Sequence, residues 1–169
     1  VYNEYASGAQ LTAEGVYYFY AVDKSGNSSS VVNITLDRTA PTGTLYGGTS
    51  VISSGGSTNA SYIKFVPSDN IGLQTTYLKK PGSTSYVVYT SGTQFTAEGT
   101  YSFYSTDLAG NSSSTYTIIL DRQIPTAQLY VDGTPIDNNS YTNGEHISFE
   151  CDENCFVKLP DSETYVEYL

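Results

Sequence analysis

Apolar and polar residues alternate along most of this chain, and no stretch sustains the three-to-four-residue spacing of a helix. In Gly15-Val-Tyr-Tyr-Phe-Tyr-Ala-Val-Asp23, alternation puts Tyr17, Phe19 and Ala21 on one face. In the related stretch from Gly99 to Asp107, Tyr101, Phe103 and Ser105 share a face opposite Ser102, Tyr104 and Thr106. The second set suits water, so the first is expected to face a core. Each stretch leads to another alternating strand: Val32, Ile34 and Leu36, matched by Tyr116, Ile118 and Leu120. DKSGN and DLAGN lie between and predict tight hairpins. In each, Asp23 or Asp107 caps the turn with its side chain, and Gly26 or Gly110 supplies the positive φ that ends it. Upstream, Leu45 and Leu129 mark a first strand, while Ile63 with Phe65, and Ile147 with Phe149, mark an early buried one.

The pattern recurs at a fixed step. Residues 6–38 and 90–122, offset by 84, are identical at 20 of 33 positions. Both copies run into a proline segment, TAPTGTLY at Thr39 and QIPTAQLY at Gln123, so the second proline opens a third copy. There LKKPGSTSYVVY at Leu78 is echoed by VKLPDSETYVEY at Val157, an offset of 79. Three segments follow: residues 1–38 are the back half of one repeat, 39–122 a whole repeat, and 123–169 the front half of another.

About seven short strands per repeat, with turn signals every 8–12 residues, predict an all-β chain of tandem immunoglobulin-like Greek-key β-sandwiches. The run Ala-Glu-Gly-x-Tyr resembles the tyrosine corner of such sandwiches, with Tyr17 and Tyr101 as the residues whose hydroxyls bond back to upstream backbone. Half a sandwich leaves its inner face wet. Exposing Tyr17, Phe19, Ile34 and Leu36 would cost on the order of 6–10 kcal/mol at about 1.5–3 each. Completion is expected from neighbouring repeats, either in the same chain or, by head-to-tail strand complementation, in another copy. The chain also reads as an internal segment of something longer.

Composition narrows the function classes. A formal charge of −10 with only seven Lys and Arg excludes nucleic acid as an expected partner. No run of about 18 apolar residues is present, so membrane insertion by a helix is not expected. Seventeen tyrosines among Ser, Thr, Gly and Asn fit strands and turns, not disorder. Catalytic chemistry finds little to stand on: His146 is the single histidine, it lies beside the alternating Ile147 and Phe149, and no strained G-x-S-x-G nucleophile occurs. The expectation is a non-enzyme with no catalytic residue and no resident cofactor.

Four features carry two readings each. Asp37 and Asp121, next to Arg38 and Arg122 where repeats meet, are candidates for a junction calcium with Asp69, Asp132 and Asp137. The alternative is ordinary surface acids, since one carboxylate beside a cation falls short of six to eight oxygens. Cys151 and Cys155 read as a hairpin disulfide across a short turn, or as two buried thiols. Asn27, Asn33, Asn59, Asn111 and Asn138 open glycosylation sequons, which a Ser/Thr-rich chain also produces by chance. Tyr18, Tyr20, Tyr62 and Tyr104 offer a platform for glycan or host protein, or express ordinary strand preference.

The string Y-x-F-x-[AS]-x-D-x-[SA]-G-N-S, followed by I-x-L-D-R-x-x-P-T, resembles the bacterial immunoglobulin-like repeats of large secreted and cell-surface proteins. The resemblance covers the whole chain, counting both half repeats, with the third copy departing where it holds the cysteines. It implies an extracellular setting and a role as stalk, spacer, filament-forming segment or adhesive module. It carries over no catalytic or ligand residue.

Overall fold

The computed structural model describes residues 2–168. It is all-β: among the described residues there is no helix, and so none long and apolar enough to cross a membrane. In chain order the strands are β1 (Gly15–Phe19), β2 (Val32–Leu36), β3 (Thr42–Gly47), β4 (Ser50–Ile52), β5 (Ser57–Thr58), β6 (Ile63–Ser68), β7 (Leu73–Lys79) and β8 (Val87–Tyr89). They continue with β9 (Gly99–Asp107), β10 (Tyr116–Leu120), β11 (Ala127–Val131), β12 (Thr134–Ile136), β13 (Ile147–Cys151), β14 (Cys155–Val157) and β15 (Val166–Tyr168). The chain divides into two compact units, Val1–Arg122 and Gln123–Leu169.

In the first unit, residues 39–122 build a three-stranded sheet, β4-β3-β6, and a five-stranded sheet, β5-β10-β9-β7-β8, consistent with a β-sandwich. The segment carries eight strands where the turn spacing predicts about seven. Both sheets feed one core. Leu45, Ile63 and Phe65 come from the first, and Leu78, Tyr89, Tyr101, Phe103, Ile118 and Leu120 from the second. Phe65 stacks on Phe103 with ring centroids 5.0 Å apart and meets Tyr116 at 5.1 Å. Room for that ring depends on Gly43, where a Cβ would fall 2.2 Å from Phe65 Cζ. Burial of each such ring stabilises by about 1.5–3 kcal/mol.

Alternation on β9 follows the expected faces, with Tyr101, Phe103 and Ser105 all buried. Ser102 departs from it. Expected in water, it is buried, because β9 runs between β10 and β7 and a serine is too short to rise above Thr117 and Lys79 on either side. The outer edge of β6 is covered as well. Phe95 bridges Ile63 through two backbone bonds of 2.9 Å, and the Tyr89 hydroxyl accepts from Phe65 N (3.0 Å) while donating to Phe65 O (2.8 Å). A paired edge gives no template for a stray strand.

Strands β1 and β2 pair in the register of β9 and β10: Tyr17 lies opposite Ile34 as Tyr101 lies opposite Ile118. Their surroundings differ. Ile118 is fully buried, whereas Ile34 is 63% exposed, because no second sheet among the described residues covers β1 and β2.

The second unit shows the complementary case. Its sheet β12-β11-β13 sets Leu129 opposite Phe149, as Leu45 lies opposite Phe65. Ile147 is 68% exposed where Ile63 is buried. An open recess of about 300 Å³, lined by Leu129, Phe149, Phe156, Val157, Tyr165 and Tyr168 among others, lies on its apolar side. Cys151 and Cys155 are joined by a disulfide, with Cα atoms 6.1 Å apart. The expected hairpin around it needs correction. Cys151 ends β13, which pairs with β11, and Cys155 opens β14, which pairs with β15. The bond therefore staples a passage between sheets, the place that the turn from β6 to β7 takes in the first unit.

Truncating one apolar side chain in each copy should separate the buried copy from the exposed one. Phe103→Ala is expected to destabilise the first unit by about 3–5 kcal/mol. Ile34→Ala, at a mostly exposed position, should change stability by about 0.5 kcal/mol or less. Guanidinium unfolding of each variant measures both.

Candidate functional site

The densest polar organisation lies where β2 gives way to β3. Asp37 follows β2, Asp69 follows β6, and Asp107 closes β9. Each carboxylate is held by its own local turn. Asp107 Oδ1 accepts from Ala109 N (2.9 Å) and Asn111 N (2.8 Å), and its Oδ2 accepts from Asn111 Nδ2 (2.8 Å). Gly110, at φ 93°, ends the turn in a conformation that side chains resist. Asp69 Oδ2 accepts from Ile71 N (3.0 Å) and Gly72 N (2.7 Å). Asp37 Oδ1 accepts from Thr39 N (3.1 Å). Leu108 N donates to Gly72 O (3.0 Å), tying the turns of Asp69 and Asp107 together.

These turns bring one oxygen of each of Asp37, Asp69 and Asp107 within 4.8 Å of the others. Burial raises the Asp107 pKa, but the bonds from Asn111, Ala109 and Gly110 outweigh it and hold the group below the ordinary aspartate value. Asn111 also donates to Asp37 O (3.2 Å), so its amide nitrogen is committed on both sides.

Around the cluster, Glu14 fastens the passage. Its Oε1 accepts from Arg38 N (2.8 Å), and its Oε2 from Thr39 Oγ1 (2.8 Å) and Asn70 Nδ2 (3.4 Å). The Thr39 and Arg38 bonds lower the Glu14 pKa. The arrangement recurs 84 residues later: Arg122 N donates to Glu98 Oε1 (3.1 Å), and Arg122 Nη2 to Thr96 O, as Arg38 Nη2 does to Thr12 O. Neither glutamate stands out in the linear text. The signal was there in the shared spacing, Glu14 to Arg38 and Glu98 to Arg122.

Other singled-out residues take up separate places. Tyr17 and Tyr101 donate to the carbonyls four residues upstream, Ala13 O at 2.6 Å and Ala97 O at 2.8 Å. Burial raises the Tyr101 pKa. Asp23, with Gly26 at φ 87°, repeats the turn of Asp107 through Ser25 N and Asn27, yet it is exposed. Asp132, in the turn between β11 and β12, accepts from Glu145 N and His146 N ahead of β13, with His146 Nδ1 3.5 Å away, and Asp137 is exposed. Asp121 N bonds Thr58 O (3.0 Å). Of the five acids first grouped as junction candidates, Asp37 and Asp69 meet. Their third member, Asp107, reads in sequence only as a turn cap.

On the sheet face away from the core, Tyr104 stacks on Tyr77 (4.8 Å) and meets Tyr86 edge-on (4.9 Å), with Lys79 Nζ 5.5 Å from the Tyr86 ring centre. Tyr18 and Tyr20 are exposed, and Tyr62 is half-buried.

Tyr89→Phe removes the partner of a buried Phe65 N–H and should destabilise by about 1–3 kcal/mol. Tyr101→Phe removes a bond to a carbonyl nearer the surface and should cost about 0.5–1.5 kcal/mol. Thermal unfolding of the two variants gives the order. No protein-family model matches this chain, and no curated protein does.

Proposed function

We propose that this chain is a stretch of tandem immunoglobulin-like Greek-key domains of bacterial type, acting outside the cell as a non-catalytic stalk, spacer or filament-forming segment. What supports the reading is the fastened passage from β2 to β3. Residues 37–41 span it, Pro41 fixes its own φ, and Glu14 bonds Arg38, Thr39 and Asn70 at once. A passage bonded on both sides transmits orientation; a free linker does not. The half-covered inner faces of β1–β2 and of the second unit fit neighbouring repeats as partners, in the same chain or in another copy.

Spin labels on Ser29→Cys and Ser85→Cys would report the stiffness of that passage. A narrow distance distribution is expected, broadened by Glu14→Ala. A wild-type distribution as broad as that of a flexible linker would overturn the stalk reading.

A second reading, adhesion to glycan or host protein, draws on the Tyr77, Tyr104 and Tyr86 cluster with Lys79, because flat rings beside a cation suit sugar faces and protein hot spots. It expects a glycan-array or cell-binding signal that Tyr104→Ala abolishes. No signal from the intact chain ends it.

A further inference from the structure

We propose that Asp37, Asp69 and Asp107 form a calcium site that fastens the β2–β3 passage to the turns after β6 and β9. The first support is spacing. One oxygen from each carboxylate lies within 4.8 Å of the other two. Two oxygens that share a calcium at about 2.4 Å can lie no more than about 4.8 Å apart, so one ion can serve all three with little movement.

Electrostatics points the same way. Asp107 is fully buried and Asp37 only 8% exposed. Among the described residues, no Lys, Arg or His nitrogen pairs with any of the three carboxylates. Like charges drawn together out of water oppose folding unless something neutralises them.

The independent observation is Asp69 Oδ1. Less than 1 Å² of this atom reaches solvent, and it has no hydrogen-bond partner, while Oδ2 of the same group takes two backbone N–H bonds. Buried polar atoms are almost always satisfied. An acceptor kept dry and unpartnered, in a carboxylate that meets two others, is a place for a cation and not for a hydrogen bond.

Donor chemistry selects the ion. The cluster holds oxygen alone, with no imidazole or thiolate, which favours a hard cation over zinc or copper. Its ligands sit on three irregular turns, a geometry that suits the flexible shell of calcium better than the strict octahedron of magnesium. Three carboxylates leave positions for water.

The site rests on these three side chains alone, so its failure would leave the stalk reading intact. The test is calorimetric titration of the whole chain, first stripped with chelator, using calcium chloride and then magnesium chloride. One calcium per chain is expected, with a Kd on the order of 10⁻⁴–10⁻³ M, as in extracellular modules, and magnesium at least about tenfold weaker. Asp69→Asn keeps an amide oxygen for Ile71 N and Gly72 N, so the turn survives while the charge goes. It and Asp37→Asn, in a separate segment, should each weaken calcium by at least about tenfold. Asp23→Asn, in the matching turn without the other two acids, should leave it unchanged. Circular dichroism in chelator checks that each variant is folded, and either variant alone suffices. Absence of binding up to about 10 mM, or binding that neither Asp69→Asn nor Asp37→Asn weakens, overturns the site.

Discussion

Phe65 and Phe103 meet across the two sheets of residues 39–122, and the rest of that segment is arranged so that they can. Gly43 clears the space for the Phe65 ring, and Tyr89 occupies its backbone edge. Tyr116, Tyr89 and Phe95 extend the aromatic contact outward. A sheet with one apolar face must bury it against something, and here each sheet is the other's cover. Where one sheet is missing, the same local sequence still pairs in the same register, but its inner face is only half covered, with Tyr17, Phe19 and Leu36 half-buried and Ile34 exposed. Ile34 and Ile147 record that condition on either side of the complete segment.

The passage from β2 to β3 is built on a different principle. It buries little apolar surface, and its order comes from carboxylates that collect backbone N–H groups: Glu14, Asp37, Asp69 and Asp107 each hold at least one. Acidic turn residues from three elements thereby come close together, so the bonds that order the passage also concentrate negative charge. The calcium proposal and the stalk proposal therefore concern the same few residues yet can fail separately.

Most of the fold was legible in the sequence because period-two alternation and a recurring 84-residue step are local signals. Tyr101, Phe103, Ile118 and Leu120 announce their burial by alternation alone. Ser102 did not, since its cover comes from neighbouring strands that a linear pattern does not name. The cysteine pair misled for a related reason. A spacing of four suggests a hairpin, whereas the strands on either side join different sheets, a choice made by their long-range partners β11 and β15. Asp107 hid its neighbours behind a complete turn: that turn fully explains an aspartate there, and only the fold brings Asp37 and Asp69 to it.

If burial in these strands depends on the opposing sheet and not on the strand's own sequence, amide hydrogen exchange should split the two matched copies. In native buffer, the amides of Tyr101, Phe103 and Ile118 should exchange orders of magnitude more slowly than those of Tyr17, Phe19 and Ile34. Equal protection in the two sets would contradict the account.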